Sequence, residues 1–168
     1  MTQAFAQLLG ADRSRKGKPG RIVMISSVGG KNATPFMAPY NASKFALEGL
    51  SESLRRELML FGIDVIVIAP GAVATPIWAK AEELDVSQYA NTPYMAQLER
   101  IKSYMLESGP KGLKPETLGK AIHKALTTSR PKVRYVVTPN MTQEVMSAIL
   151  PKRTMDNLIA GRLGLKKS

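Results

Sequence analysis

This chain of 168 residues predicts an α/β fold built on a parallel sheet. Two observations carry that expectation. Two short apolar runs rich in β-branched residues, Arg21-Ile22-Val23-Met24-Ile25 and Ile63-Asp64-Val65-Ile66-Val67-Ile68, each give way to small residues. Between them Phe45, Leu47, Leu50, Leu54 and Leu58 recur at helical spacing. Strands buried on both faces read as continuous apolar runs, the pattern of a parallel sheet covered by helices.

Residues 1–9 read as the last turns of a helix, and Gly10 to Pro19 as a polar, basic connection. A strand over 21–26 leads into a loop, Lys31 to Pro39, and then a helix from about Asn41 to Phe61. Gly62 is a natural stop, since glycine takes the left-handed conformation that ends helices. The second strand covers 63–68. Residues 76–110 hold Trp78, Tyr89, Tyr94 and Tyr104 among polar residues and read as a helical segment. Pro115 opens another helix at a permitted first-turn position. A third strand at 133–138 and an amphipathic stretch over 141–168, interrupted by Pro151, complete one domain spanning 1–168.

Composition narrows the chemistry. With no cysteine, disulfides and thiolate catalysis are excluded, and a single histidine, His123, leaves a zinc site unsupported. His123 falls in a helical pattern and reads as a surface or satisfied residue. The formal charge of +11 raises nucleic-acid binding, but no basic patch interleaved with aromatics supports it. A solvated face, or attraction to phosphorylated cofactors or anionic lipid, fits better. No secretory signal and no apolar run of spanning length is present, so a cytoplasmic location is expected.

Chemistry concentrates at the first strand end. Ser27 closes that strand, and Tyr40 and Lys44 form a Tyr-x-x-x-Lys pair at the start of the following helix. A tyrosine hydroxyl titrates near ~10, too high for an efficient base at neutral pH. An ammonium one turn away lies on the same helix face and favours the phenolate. Ser27 would hold a substrate oxygen while its charge changes. The second strand ends at Ala69-Pro70-Gly71 and continues Ala72-Val73-Ala74-Thr75-Pro76, so two strand ends can converge on one crevice.

The stretch Gly20 to Pro76 resembles the catalytic half of the short-chain dehydrogenase/reductase family. The pieces match in order: a strand ending Ile25-Ser26-Ser27, then Tyr40-Asn41-Ala42-Ser43-Lys44, then Pro70-Gly71 with Thr75 beyond. Tyr135-Val136-Val137-Thr138-Pro139 resembles that family's last sheet strand. The resemblance implies a partial Rossmann-like, doubly wound parallel sheet of about three strands with flanking helices. It implies Tyr40 as acid/base, Lys44 as its electrostatic partner and ribose ligand, and Ser27 as the substrate-orienting hydroxyl. Pro70, Gly71, the Val73 backbone and Thr75 would meet the nicotinamide end of NAD or NADP, and 76–110 would be the segment covering the substrate. The family's Thr-Gly-x-x-x-Gly-x-Gly phosphate-binding turn is absent, and Gly29-Gly30 read only as a loop. Also absent are the strand-end residue that selects NAD or NADP and the asparagine of the catalytic tetrad.

Two function classes follow. One is an NAD(P)-dependent oxidoreductase acting on a secondary alcohol or ketone, hydrophobic by the resemblance of Pro35-Phe36-Met37-Ala38-Pro39 to such members. The other is a truncated relative without turnover that serves as a binding or oligomerisation module. The family flanks strand 21–26 on both sides and dimerises through helix 41–61, so a homo-oligomer or a complementary N-terminal half is the expected partner. The stretch Met141 to Leu165 packs on the domain or a sister subunit, or lies on a membrane surface through its basic flanks.

Overall fold

The computed structural model describes residues 2–165, which form two compact units. The first runs up to Gly71 and takes in Glu116–Val137; the second comprises Ala72–Pro115 and the residues from Thr138 on.

In the first unit, helix α1 (Thr2–Ala6) widens into a π-type turn, Gln7–Ala11, and strand β1 spans Arg21–Ile25. Helix α2 (Ala38–Glu57) tightens into a 3-10 turn, Leu58–Phe61, before strand β2 (Asp64–Pro70). In the connection between the Gln7–Ala11 turn and β1, Ser14 donates from its hydroxyl and backbone N–H to Asp12, holding that carboxyl below its ordinary pKa. The unit closes with helix α4 (Pro115–Thr127) and strand β3 (Arg134–Val137). The strands form one parallel sheet in the order β1-β2-β3, with Ile25 opposite Ile68 and Pro70 opposite Val137.

The expected fold class is therefore what the chain adopts. In β2, Val65, Ile66, Val67, Ile68 and Ala69 are all buried, because successive side chains alternate between two covered faces. On one face, Leu58, Ile63 and Val65 gather Leu9, Ile22, Met24, Leu54 and Phe61. On the other, Ile66, Ile68 and Ala125 gather Val23, Leu118, Ile122, Tyr135 and Val137. A polar tie supports the second face: the Arg21 guanidinium donates to the Ala125 and Leu126 carbonyls near the end of α4, at 2.9 and 2.8 Å.

Element boundaries shift where partners decide them. Strand β2 runs two residues past the expected end, because Ile68, Ala69 and Pro70 pair with Tyr135, Val136 and Val137. Helix α2 begins at Ala38 rather than Asn41, with Pro39 in its first turn. The chain enters it through Phe36, whose φ of 64° is a left-handed conformation rare for a bulky residue. Gly62 ends the helix as expected, at φ 69°, while the Gly62 and Ile63 amides close back onto the Met59 and Leu58 carbonyls. Val28–Gly30, expected as loop, is a short 3-10 turn. His123 is exposed on α4.

The second unit holds two 3-10 turns (Pro76–Ala81 and Ser87–Tyr89), α3 (Met95–Ser108), α5 (Met141–Ile149) and α6 (Lys152–Leu163). A parallel bridge joins Val73 to Leu113, and the Gln97 side-chain amide donates to the Gly164 carbonyl at the end of α6. Pro151 separates α5 from α6, as its position in the sequence requires. Helix α5 leaves Met141, Val145, Met146 and Ile149 exposed. Among the described residues no helix is long and apolar enough to cross a membrane.

Ile68 is fully buried at the centre of the sheet. Ile68→Ala is therefore expected to lower unfolding stability by about 2–5 kcal/mol in urea titrations. Leu60→Ala, at a residue 69% exposed, should cost less than about 0.5 kcal/mol.

Candidate active site

Ser27, Tyr40 and Lys44 meet at the carboxyl end of β1. Ser27 follows the strand in extended conformation and is buried at 7% exposure. Its Oγ accepts the Gly29 amide at 3.0 Å, which caps the Val28–Gly30 turn. With one lone pair so engaged, the hydroxyl retains its own hydrogen for donation. Tyr40 lies in the first turn of α2 and is 41% exposed, so an external group can reach it. A methyl added to Gly29 would stand 3.4 Å from each of Ser27 Oγ, Tyr40 Cε1 and Asn41 Oδ1, so these three side chains surround Gly29.

Lys44, one turn beyond Tyr40, is held on both sides. Its Nζ donates to the Ile25 carbonyl at 3.1 Å and stands 5.8 Å from the centroid of the Tyr40 ring. The lysine thus bridges the last residue of β1 and the aromatic face, and its charge sits beside the phenol. Asn41 is buried at 5% and donates to the Thr34 carbonyl at 2.8 Å, fixing the loop that leads into α2.

Farther along that helix face lies an ion pair that sequence reasoning missed. The Arg134 guanidinium, from the start of β3, bonds both carboxylate oxygens of Glu48 at 3.2 and 3.1 Å. Both side chains are largely buried, at 19% and 12% exposure. Arg134 also reaches the Ser27 carbonyl at 3.4 Å. The available signal was spacing: Tyr40, Lys44 and Glu48 repeat every fourth residue and share one helix face.

The remaining expected residues divide between the units. Pro70 and Gly71 end β2 on the same carboxyl edge of the sheet, with the Gly71 amide donating to Val137 at 2.9 Å. Val73 and Thr75 belong to the second unit. The Val73 carbonyl accepts the Trp78 indole N–H at 2.6 Å. Thr75 lines a cavity of about 270 Å³ with Trp78, Ala79, Glu82, Leu106 and Pro110.

A family model for the short chain dehydrogenases matches residues 1–85, about half of the chain. The chain belongs to the short-chain dehydrogenase family. A relative, the NADPH-dependent 3-dehydrocapnine reductase of Ornithobacterium rhinotracheale, is 33% identical over 159 residues, covering 94% of this chain and 56% of that protein. The 3-ketodihydrosphingosine reductase of Bacteroides thetaiotaomicron is 34% identical over 127 residues, or 74% of this chain and 46% of the relative. Among solved structures, a short-chain dehydrogenase from Streptomyces avermitilis superposes with a TM-score of 0.64 at 24% identity, over 95% of this chain and 53% of that one. This short-chain dehydrogenase chain thus spans about half the length of the curated relatives it matches.

Adjacent glycines in the site differ in the room they leave. A Cβ on Gly30 would fall 2.7 Å from Ser26 Oγ and 2.9 Å from Glu48 Cγ. Gly30→Ala is expected to cost about 1–3 kcal/mol by forcing these apart, whereas Gly29→Ala meets only ordinary contacts. Paired urea titrations of the two variants check the difference.

Proposed function

We propose that this chain carries the proton-transfer centre of an NAD(P)-dependent oxidoreductase that interconverts a secondary alcohol and a ketone, with a hydrophobic substrate. The observation that supports it most is the convergence at the end of β1 of Ser27 and Tyr40, which meet around Gly29, with Lys44, which lies over the Tyr40 ring and bonds the Ile25 carbonyl. The named activities of the relatives above, both reductases and one of them NADPH-dependent, support the reaction class.

The donors present fit one end of a nicotinamide nucleotide. Within the first unit, Tyr40 and Lys44 offer a phenol and an ammonium to ribose hydroxyls. No Thr-Gly-x-x-x-Gly-x-Gly turn in this sequence offers a cradle for the pyrophosphate. When bound, the nicotinamide would supply or accept the hydride at the substrate carbon. The chain's own residues handle the proton and the oxygen. Tyr40 Oη gives a proton to the carbonyl oxygen during reduction, or takes it from the hydroxyl during oxidation. Lys44, beside the ring, stabilises the negative charge that the phenol oxygen then carries. The Ser27 hydroxyl donates to the same substrate oxygen and orients it.

Tyr40→Phe removes the transferable proton and leaves the ring packing in place. Turnover, with the chain alone or complemented by an N-terminal half, should fall by roughly two to four powers of ten. Unchanged turnover in Tyr40→Phe would refute the acid/base role. Fluorescence titration of the chain with NADH and NADPH tests the cofactor directly, and an absence of saturable binding to either would count against the oxidoreductase reading.

A partner follows from the same reading. Strand β1 lies at the edge of the sheet, Ile25 is exposed, and α2 presents Phe45 and Leu50 at 44% and 52% exposure. An edge strand beside apolar surface favours pairing with another chain. At micromolar concentration, light scattering should show a dimer or larger species, or a complex with a complementary half. A stable monomer that unfolds cooperatively would contradict this.

A further inference from the structure

We propose that Glu48 and Arg134 are positioning residues: together they hold the Ser27 backbone against α2 and so set where Ser27 stands relative to Tyr40. The inference rests on the proton-transfer reading of Ser27 and Tyr40 and names the groups that hold that pair in place.

Tyr40, Lys44 and Glu48 occupy successive turns of one face of α2. Each of the last two anchors the helix to the end of β1 by a different route. Lys44 bonds the Ile25 carbonyl directly. Glu48 acts through Arg134, whose Nε–H is shared between both carboxylate oxygens while Nη2 reaches the Ser27 carbonyl. That carbonyl also accepts the Gly30 amide at 3.0 Å, so the guanidinium and the Val28–Gly30 turn share one acceptor. Gly30 fits here because a side chain would strike Ser26 Oγ and Glu48. Three separate elements, α2, β3 and the turn after β1, are thereby tied to one peptide unit, the one that carries Ser27.

The arrangement has more polar content than stability alone requires. A buried ion pair contributes little net stability compared with well-packed apolar residues of similar size, because both charges lose water. Two different nitrogens of one planar guanidinium, Nε on Glu48 and Nη2 on the Ser27 carbonyl, do fix its direction. Lysine in place of Arg134 would keep the charge and lose the second arm.

The test uses the full chain and needs no turnover. Three variants are compared with wild type: the double substitution Glu48→Met with Arg134→Met, the single Arg134→Lys, and Tyr40→Phe. The double variant replaces the pair by apolar side chains that keep the core filled, which guards against unfolding. Hydrogen exchange is read at the Gly29 and Gly30 amides, both bonded to Ser27, and at Ile66 and Ile68 in the core. The Tyr40 resonance is followed in a ¹³C-tyrosine-labelled sample and identified by its disappearance in Tyr40→Phe.

Exchange at Gly29 and Gly30 should quicken by about tenfold or more in the double variant, with Ile66 and Ile68 unchanged, and the Tyr40 resonance should move. Arg134→Lys should also quicken Gly30 while retaining the unfolding midpoint of wild type. Equal acceleration at all four amides would reduce the pair to a structural role and overturn the proposal, as would protected glycine amides with an unmoved Tyr40 resonance. Failure to bind NADH or NADPH would instead bear on the oxidoreductase reading and leave the exchange result intact.

Discussion

The two-sided burial of β2 is the constraint on which the rest of the unit depends. Its apolar residues alternate between two clusters, so α2 must cover one face of the sheet while α4 covers the other. A strand covered on both faces cannot satisfy its backbone with water, and so it must pair along both edges, with β1 and with β3. Parallel pairing then brings the carboxyl ends of all three strands to one edge. Ser27, Gly71 and the segment after Val137 fall there because of burial in β2, before any consideration of chemistry.

Helical periodicity supplies the second coordinate. Helix α2 runs from the edge where β1 ends, and its four-residue repeat puts Tyr40, Lys44 and Glu48 in a row facing that edge. The polar groups of that row each find a partner on the sheet side: a carbonyl for Lys44, a guanidinium for Glu48. Tyr40, at the helix entrance, keeps an open side. An apolar helix face packs the domain; here a polar row on the same helix places a reactive group.

How much of this was legible in the sequence follows from how local each cause is. The apolar runs of β1 and β2, the spacing of α2 and the Gly62 stop are set by neighbours within a few residues, and they can be read directly. The Tyr40–Lys44 pair is equally local, one turn apart. The extension of β2 to Pro70 was not legible, because it depends on β3, which lies more than sixty positions later. The early start of α2 depends on Phe36 taking a left-handed conformation that its residue type does not favour. Glu48 was visible as a carboxylate one turn past Lys44, but its meaning required Arg134, and no local pattern joins the two. Asn41 was quoted only as part of a motif, yet its buried amide fixes the loop before the helix.

The separation of these partners along the chain also sets an order of assembly. Glu48 and Arg134 are 86 residues apart, and Arg134 and the Ser27 carbonyl are 107 apart. Contacts of such span form late, because closing a long loop costs entropy that no local contact returns. On the ribosome, β1, α2 and β2 are available well before β3 is synthesised. Until β3 arrives, the carboxylate of Glu48 has no guanidinium and one edge of β2 is bare. A nascent chain therefore passes through an interval in which the tyrosine and lysine are already on their helix while the serine beside them is held only by its own turn, and β3 then adds the guanidinium that ties it to that helix.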